Sequence, residues 1–279
     1  MSPIAPILML APNGARKTKE IHPALPLSEA ELSLCVWDSS AMGVSMLHLH
    51  LRDAAGGHVL DAPSYRDYID AISASDGDII IQATTEAVGI YSAREQMAFL
   101  RELKPEAASV ALRELIPQPN YEAEACNFFR WKRDEGVFAQ YILYTPLELV
   151  YFADLLERGA LPAGPHFLLF VLGKKSSAHA EPAEPGDLDP FLEIFRARLL
   201  GELGVEWALC AFGKRELDCL LYGLESGGHV RIGFENNHQL PDGSPARDNL
   251  QLVDNFIAEF NKLGLGPLAR PYEIRNYFR

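Results

Sequence analysis

Short apolar runs alternate with longer segments of helical spacing from one end of the chain to the other. The runs ILMLA (7–11), VSMLHLHL (44–51), DIIIQAT (78–84), ASVALR (108–113), VFAQYILY (137–144), FLLFVLG (167–173), EWALCAF (206–212) and HVRIGFE (229–235) have the length of buried strands. Between them, apolar residues recur three and four apart near 28–42, 64–75, 91–103, 120–134, 145–158, 188–200, 214–224 and 246–262, as one buried helix face requires. Ser28-x-x-Glu31, Ser92-x-x-Glu95 and Thr145-Pro146-x-Glu148 read as capping boxes, the last with proline in the first helical position. Gly136, Gly159, Gly204 and Gly227 stand where helices end before the next strand. Eight β-then-α units with no break in composition predict an α/β protein, a single (β/α)8 TIM barrel over residues 1–279. A doubly wound open sheet is the alternative, but so many units in this length favour closure.

Two connections exceed a simple turn: 174–190 after the sixth strand and 236–249 after the eighth. Both follow carboxyl ends of strands, where barrel enzymes build their sites, so they are candidate lid or substrate loops. A surface insertion explains the first equally well.

Composition adds exclusions. A formal net charge of −13 argues against a nucleic-acid partner, which needs a basic surface. The apolar start, MSPIAPILMLAP, has no positive n-region and is too short to span a bilayer, so it reads as a first buried strand with no membrane role. Cys35, Cys126, Cys210 and Cys219 are scattered without a C-x-x-C pair, as expected of reduced thiols in a cytoplasmic protein.

Chemistry enters at SMLHLHLRD, residues 45–53. Alternation along a strand puts His48 and His50 on one face and Leu47, Leu49 and Leu51 on the other. The leucines suit a helix-covered exterior and the histidines the barrel interior, where two imidazoles can converge on one ion. Alone, H-x-H fits a pair of hydrogen-bonded core histidines as well. The eighth strand supplies a third candidate: with Val230, Ile232 and Phe234 facing helices, Arg231, Gly233 and Glu235 face inward. Strands two and eight are both even-numbered, and alternate strands feed the same interior layer. His48, His50 and Glu235 thus form a set with an open fourth position, the ligand count of catalytic zinc. A metal-free Glu235–Arg231 ion pair is the competing reading.

Charge is also segregated. Arg16, Lys17, Lys19, Arg52, Arg113, Lys174, Lys175, Lys214 and Arg215 follow strands, whereas Asp76, Asp78, Asp134, Glu135, Glu202, Glu206 and Glu225 crowd the opposite junctions. A basic catalytic face in an acidic protein suits an anionic substrate.

On HLHLRD with its following GG, GGHVRIGFENN, Asn249 before LQLVD, and the NGA and HPALP elements, the chain resembles the β-keto acid cleavage enzyme family over nearly its whole length. The resemblance implies a zinc-dependent barrel that condenses a β-keto acid with acetyl-CoA, releasing acetoacetate and an acyl-CoA, and assembles as a homo-oligomer, a dimer or tetramer. It makes His48, His50 and Glu235 the zinc ligands, Arg231 the catalytic arginine and Thr84 a site hydroxyl. The family's strand usually reads E-D-N, its aspartate assisting proton abstraction. This chain has Asn236 there, which cannot act as a base. Glu86, Glu114 and His238 are the candidate replacements. Where the amino-substrate members carry a glutamate after GA, this chain has Arg16, and Arg113 ends the fourth strand. With Glu114 they form the candidate substrate-binding set, and the two arginines favour an acid without an amino group, such as a dicarboxylate. The rival readings are a zinc-dependent hydrolase on the same barrel and a non-catalytic metal or acyl-CoA-binding homologue. The aromatic-rich end, RPYEIRNYFR, has two possible partners, a neighbouring subunit or its own chain.

Overall fold

The computed structural model describes residues 4–75, 78–173 and 182–278. Eight strands, β1 (Leu8–Leu10), β2 (Met46–Leu49), β3 (Ile80–Thr84), β4 (Ala107–Ala111), β5 (Phe138–Leu143), β6 (His166–Leu172), β7 (Val205–Ala211) and β8 (His229–Ile232), pair in parallel in chain order. β8 pairs with β1 and closes the barrel, so the open-sheet alternative falls. The strands are followed in turn by α1 (Glu29–Ser40), α2 (Ala62–Ser75), α3 (Ala93–Leu103), α4 (Glu122–Asp134), α5 (Pro146–Glu157), α6 (Asp189–Ala197), α7 (Glu216–Glu225) and α8 (Asn249–Leu263).

Two apolar layers result from the period-two pattern. Leu47, Leu49, Leu51, Val230, Ile232 and Phe234 join the helices in one large core. Inward positions such as Ile7, Met9, Met46, Ile80, Phe167 and Leu169 fill the barrel itself. The capping boxes at Ser28 and Ser92 are both formed. At the third, Thr145 caps the Glu148 N–H as expected, but the Glu148 carboxylate accepts from the Tyr144 N–H, one residue before the cap. Gly136, Gly159 and Gly227 end helices with φ between 66° and 90°, where a Cβ would be strained. Gly204 does not: α6 already ends at Ala197, with Leu199 at φ 50° beyond it, and Gly204 stands in the turn just before β7. Among the described residues no helix is long and apolar enough to cross a membrane.

The last helix, α9 (Pro271–Phe278), accounts for the aromatic end. Phe278 stacks at 4.4 Å on Phe138 and lies 5.1 Å from Phe167. Arg275 pairs with Asp78 and Glu106, and the Tyr277 hydroxyl donates to Glu206. The segment therefore packs on its own chain, plugging the barrel mouth opposite the long loops. Of those loops, 174–181 lies outside the described residues, as do Asp76, Lys174 and Lys175. The segment 236–249 folds back through a Gln239–Pro245 bridge and ends at Asp248, which caps α8.

One buried charge has a thermodynamic consequence. Lys132 of α4 is buried with its Nζ 5.2 Å from the Tyr141 ring centre, and burial, helped by Arg133, pushes its ammonium down to about 7. The unfolded chain holds that proton up to 10.5, so stability should rise with pH between those values as the folded state sheds a charge the unfolded state keeps. Lys132→Met should therefore stabilise the protein by a few kcal/mol near pH ~6, at roughly 1.4 kcal/mol per tenfold in proton affinity, with the gain vanishing above pH ~10.5. Urea titrations at both pH values check it.

Candidate active site

β2 holds its histidines as alternation requires. His48 lies beside Gln82 of β3 in register. β2 ends at Leu49, and Leu51–Arg52 pairs with His58–Val59 as a small antiparallel ribbon, not as part of the barrel. His50 sits at that break with its carbonyl accepting from Asn13 Nδ2. Arg52 is not on the pocket wall and donates to the carbonyls of Gly14, Lys17 and Gly56. Asp53 caps the N–H groups of Ala55 and Gly57. The RD…GG of the motif thus buckles two loops together, while its histidines face the interior.

Glu235 arrives by a different route from the expected one. β8 stops at Ile232, and residues 233–235 form a turn instead of extending the strand. Gly233, at φ 136°, lets the chain pass so close to β1 that a Cβ would lie 2.4 Å from the Ala11 carbonyl oxygen. Asn249 clamps the turn, its Oδ1 accepting from the Phe234 N–H while its Nδ2 donates to the Pro12 carbonyl. The Glu235 side chain then lies against Gly14, where the absence of a side chain leaves room for it.

The three candidate ligands meet. His48 Nε2 is 3.0 Å from His50 Nε2, and Glu235 Oε2 lies 3.4 Å and 3.3 Å from them. All three residues are buried, with at most 9% of Glu235 exposed. Arg231 takes the other carboxylate oxygen, NH2 to Oε1 at 3.0 Å, and also donates to Cys210 Sγ. The ion pair proposed as a rival to the metal is therefore formed, and it leaves Oε2 facing the imidazoles without a hydrogen bond among the described residues.

That orphaned oxygen tests the metal. Buried polar atoms without partners are rare and costly. Three donors 3.0–3.4 Å apart match the edge of a tetrahedral shell, roughly 3.3 Å for zinc bonds of about 2.0–2.1 Å. Protonation states agree as well. Burial holds the His48 imidazolium well below its ordinary range. Burial would raise the Glu235 carboxyl, but Arg231 and the two imidazoles outweigh it and hold it well below the usual carboxylate range. A neutral imidazole and an ionised carboxylate are the forms that bind a cation. The donor set fits a divalent ion.

A narrow pocket at the carboxyl ends of the strands opens onto these atoms. Its walls carry Thr84, Glu86, Glu114 and Arg231 among polar groups, and Ile142, Tyr144, Val171 and Phe212 among apolar ones. Thr84 Oγ1 accepts from the Glu86 N–H, so its own proton is available to a ligand. Glu114 accepts from the Ala87 N–H, and Glu86 Oε2 lies 3.9 Å from His50 Nε2. Asn236 is buried beside Glu235, both its amide atoms without a partner among the described residues, yet it is not on the pocket wall. His238 stands apart, its ring 6.3 Å from His22. Arg16 is exposed on the turn after β1. Arg113 follows β4 in a one-turn helix, stacks 3.6 Å from the Tyr144 ring centre and pairs with Glu148 at 3.1 Å.

Three other basic residues of this face hold the loops in place. Lys17 donates to the Phe234 carbonyl, Lys19 pairs with Glu31, and Arg215 bridges Glu184 and Asp218. Long βα loops expose many backbone acceptors, and nearby cations satisfy them. For these residues the segregated charge reports loop architecture, and among the described residues only Arg231 carries a positive charge onto the pocket wall.

The beta-keto acid cleavage enzyme family model matches residues 6–279. The chain belongs to the β-keto acid cleavage enzyme family. Across 277 aligned residues it is 29% identical to the 3-keto-5-aminohexanoate cleavage enzyme of Fusobacterium nucleatum, covering 96% of both chains. It is 23% identical to a 3-oxoadipate:acetyl-CoA acetyltransferase of Cupriavidus necator, covering 96% of this chain and 93% of that one. Among solved structures, the complex of ObcA with oxaloacetate superposes with a TM-score of 0.72 at 16% identity, over 92% of this chain and 67% of the other, a likeness of fold.

Within this β-keto acid cleavage chain, sequence reasoning missed two side chains behind the histidines, Gln82 and Gln140. Each is a polar residue inside an apolar strand run and shares the inward parity of the residues two places away. That parity was the signal that could have found them.

Proposed function

We propose that the chain is a zinc-dependent β-keto acid cleavage enzyme that converts a β-keto acid and acetyl-CoA into acetoacetate and the acyl-CoA of the remaining chain. The observation that carries the reading is the triangle of His48, His50 and Glu235 donors at the pocket, with the unpartnered Glu235 Oε2 at one corner. Zinc held there would polarise the keto oxygen and lower the cost of removing the proton between two carbonyls.

The chain's own groups divide the rest of the work. Arg231, fixed by Glu235 and lining the pocket, presents its guanidinium to the substrate carboxylate. Thr84 donates its hydroxyl proton to a substrate oxygen. Glu86 takes the base role that Asn236 cannot, because its carboxylate lies on the pocket wall 3.9 Å from His50 Nε2. Asn236 serves as a hydrogen-bonding amide beside the ligand. Arg16 and Arg113 bring positive charge to the rim and support a tail without an amino group, while Glu114 contributes to the wall. The same reading includes a homo-oligomer.

A β-keto acid panel assayed with and without acetyl-CoA, on zinc-loaded protein, tests this. Acetoacetate and acyl-CoA should form only when both substrates are present. Turnover without the thioester would make the protein a hydrolase. Zinc binding with no turnover across the panel would make it a binding protein. Preference for an amino-bearing acid over acidic or neutral analogues would overturn the reading of the tail. Glu86→Gln should lower kcat by roughly 10²–10⁴-fold, the usual share of a general base, with metal content unchanged.

A further inference from the structure

Behind His48 the barrel interior holds a line of side-chain amides. His48 Nδ1 is 2.7 Å from Gln82 Oε1, Gln82 Nε2 donates to Gln140 Oε1 at 3.2 Å, and Gln140 Nε2 lies 3.4 Å from the Leu168 carbonyl and 3.6 Å from Met9 Sδ. Both glutamines are fully buried, on alternate strands β3 and β5, as one interior layer requires.

We propose that this line is a directional relay in which the Leu168 carbonyl, through Gln140 and Gln82, fixes His48 with its proton on Nδ1 and its Nε2 lone pair aimed at the metal position. An amide side chain can be placed either way round, so the direction must come from an end that cannot reverse. A backbone carbonyl and a thioether only accept. They require the NH2 end of Gln140 to face them, which turns its oxygen toward Gln82. Gln82 must then present its NH2 to that oxygen and its own oxygen to His48. A carbonyl oxygen facing Nδ1 admits only the Nδ1–H tautomer. His50 lacks any such anchor, its Nδ1 having no partner among the described residues. Gln82 and Gln140 are thus positioning residues, acting through one histidine.

The relay's role in metal binding rests on the metal reading above, and the test separates the two. In the metal-free wild-type protein, ¹⁵N spectra should show His48 protonated at Nδ1, and Nε2 protonation would overturn the relay. In chelator competition with zinc, Gln82→Leu should bind the ion about 10–100-fold more weakly, the usual effect of losing such a partner. Gln82→Glu keeps an acceptor facing Nδ1 and should stay closer to wild type in affinity, although burying a charge lowers its melting temperature. A packing role alone would spare Gln82→Leu and make Gln82→Glu the worse binder. Wild-type affinity in Gln82→Leu would end the proposal. A wild-type protein that binds no divalent ion would end the metal reading, and the tautomer would still decide the relay.

Discussion

His48→Ala should remove the divalent ion from the protein and lower kcat/KM by at least ~10³-fold, the loss expected when about 4 kcal/mol of Lewis-acid stabilisation disappears. The substitution deletes the one donor that is anchored from behind and leaves His50 and Glu235, too few to hold zinc in a catalytic site. The fold should survive, because the Glu235 carboxylate keeps its ion pair with Arg231 at 3.0 Å and no buried charge loses its partner. His58→Ala is the matched control. Its ring lies 5.1 Å from that of His50, but it bonds the Glu86 carbonyl and stands outside the donor triangle. Metal analysis after dialysis should therefore find an ion in His58→Ala and none in His48→Ala. Full metal content in His48→Ala would end the assignment of this ligand set.

The fold was legible because its information is local. Period-two runs and helical spacing mark strands and helices, and glycines such as Gly136 and Gly227 punctuate them by a backbone rule that needs no tertiary context. The meeting of His48, His50 and Glu235 was legible for a related reason. Strand parity put His48 and His50 inside, and the layering of barrels placed Glu235 near them even though β8 ends before it. Partners were not legible. A basic residue after a strand looks the same whether it meets a substrate or a neighbouring carbonyl, and Arg52 and Lys17 do the latter. Parity could have put Gln82 and Gln140 inside, but the direction of their amides was equally silent, since it is fixed by an acceptor on another strand. The aromatic end could be assigned to its own barrel only once Phe138 and Phe167 were seen beneath Phe278.

Gly14→Ala should uncouple the site from the fold. At φ 69° an alanine is strained by roughly 1 kcal/mol, which alone would lower the melting temperature of a chain this size by about 2 °C. The larger effect is steric. The new Cβ would lie 2.7 Å from Glu235 Cγ, 3.2 Å from its Cβ and 3.4 Å from its Cα, so rotating the tip of the glutamate cannot relieve it. The turn carrying Glu235 is itself clamped by Asn249 to β1, so the carboxylate must give way. Moving it disturbs two functions at once, because Oε2 faces the imidazoles and Oε1 orients Arg231. A displacement near ~1 Å at such a centre costs on the order of 10²-fold in rate, and kcat/KM should fall by about that much with metal affinity falling alongside. Gly56→Ala isolates the backbone part, since Gly56 has φ 81° and a methyl there would meet nothing within 4 Å. It should lose a similar few degrees of melting temperature while keeping metal and rate. If Gly14→Ala matched it in both, the close approach of Glu235 would have no functional role, and a small residue after Asn13 would matter only for its φ.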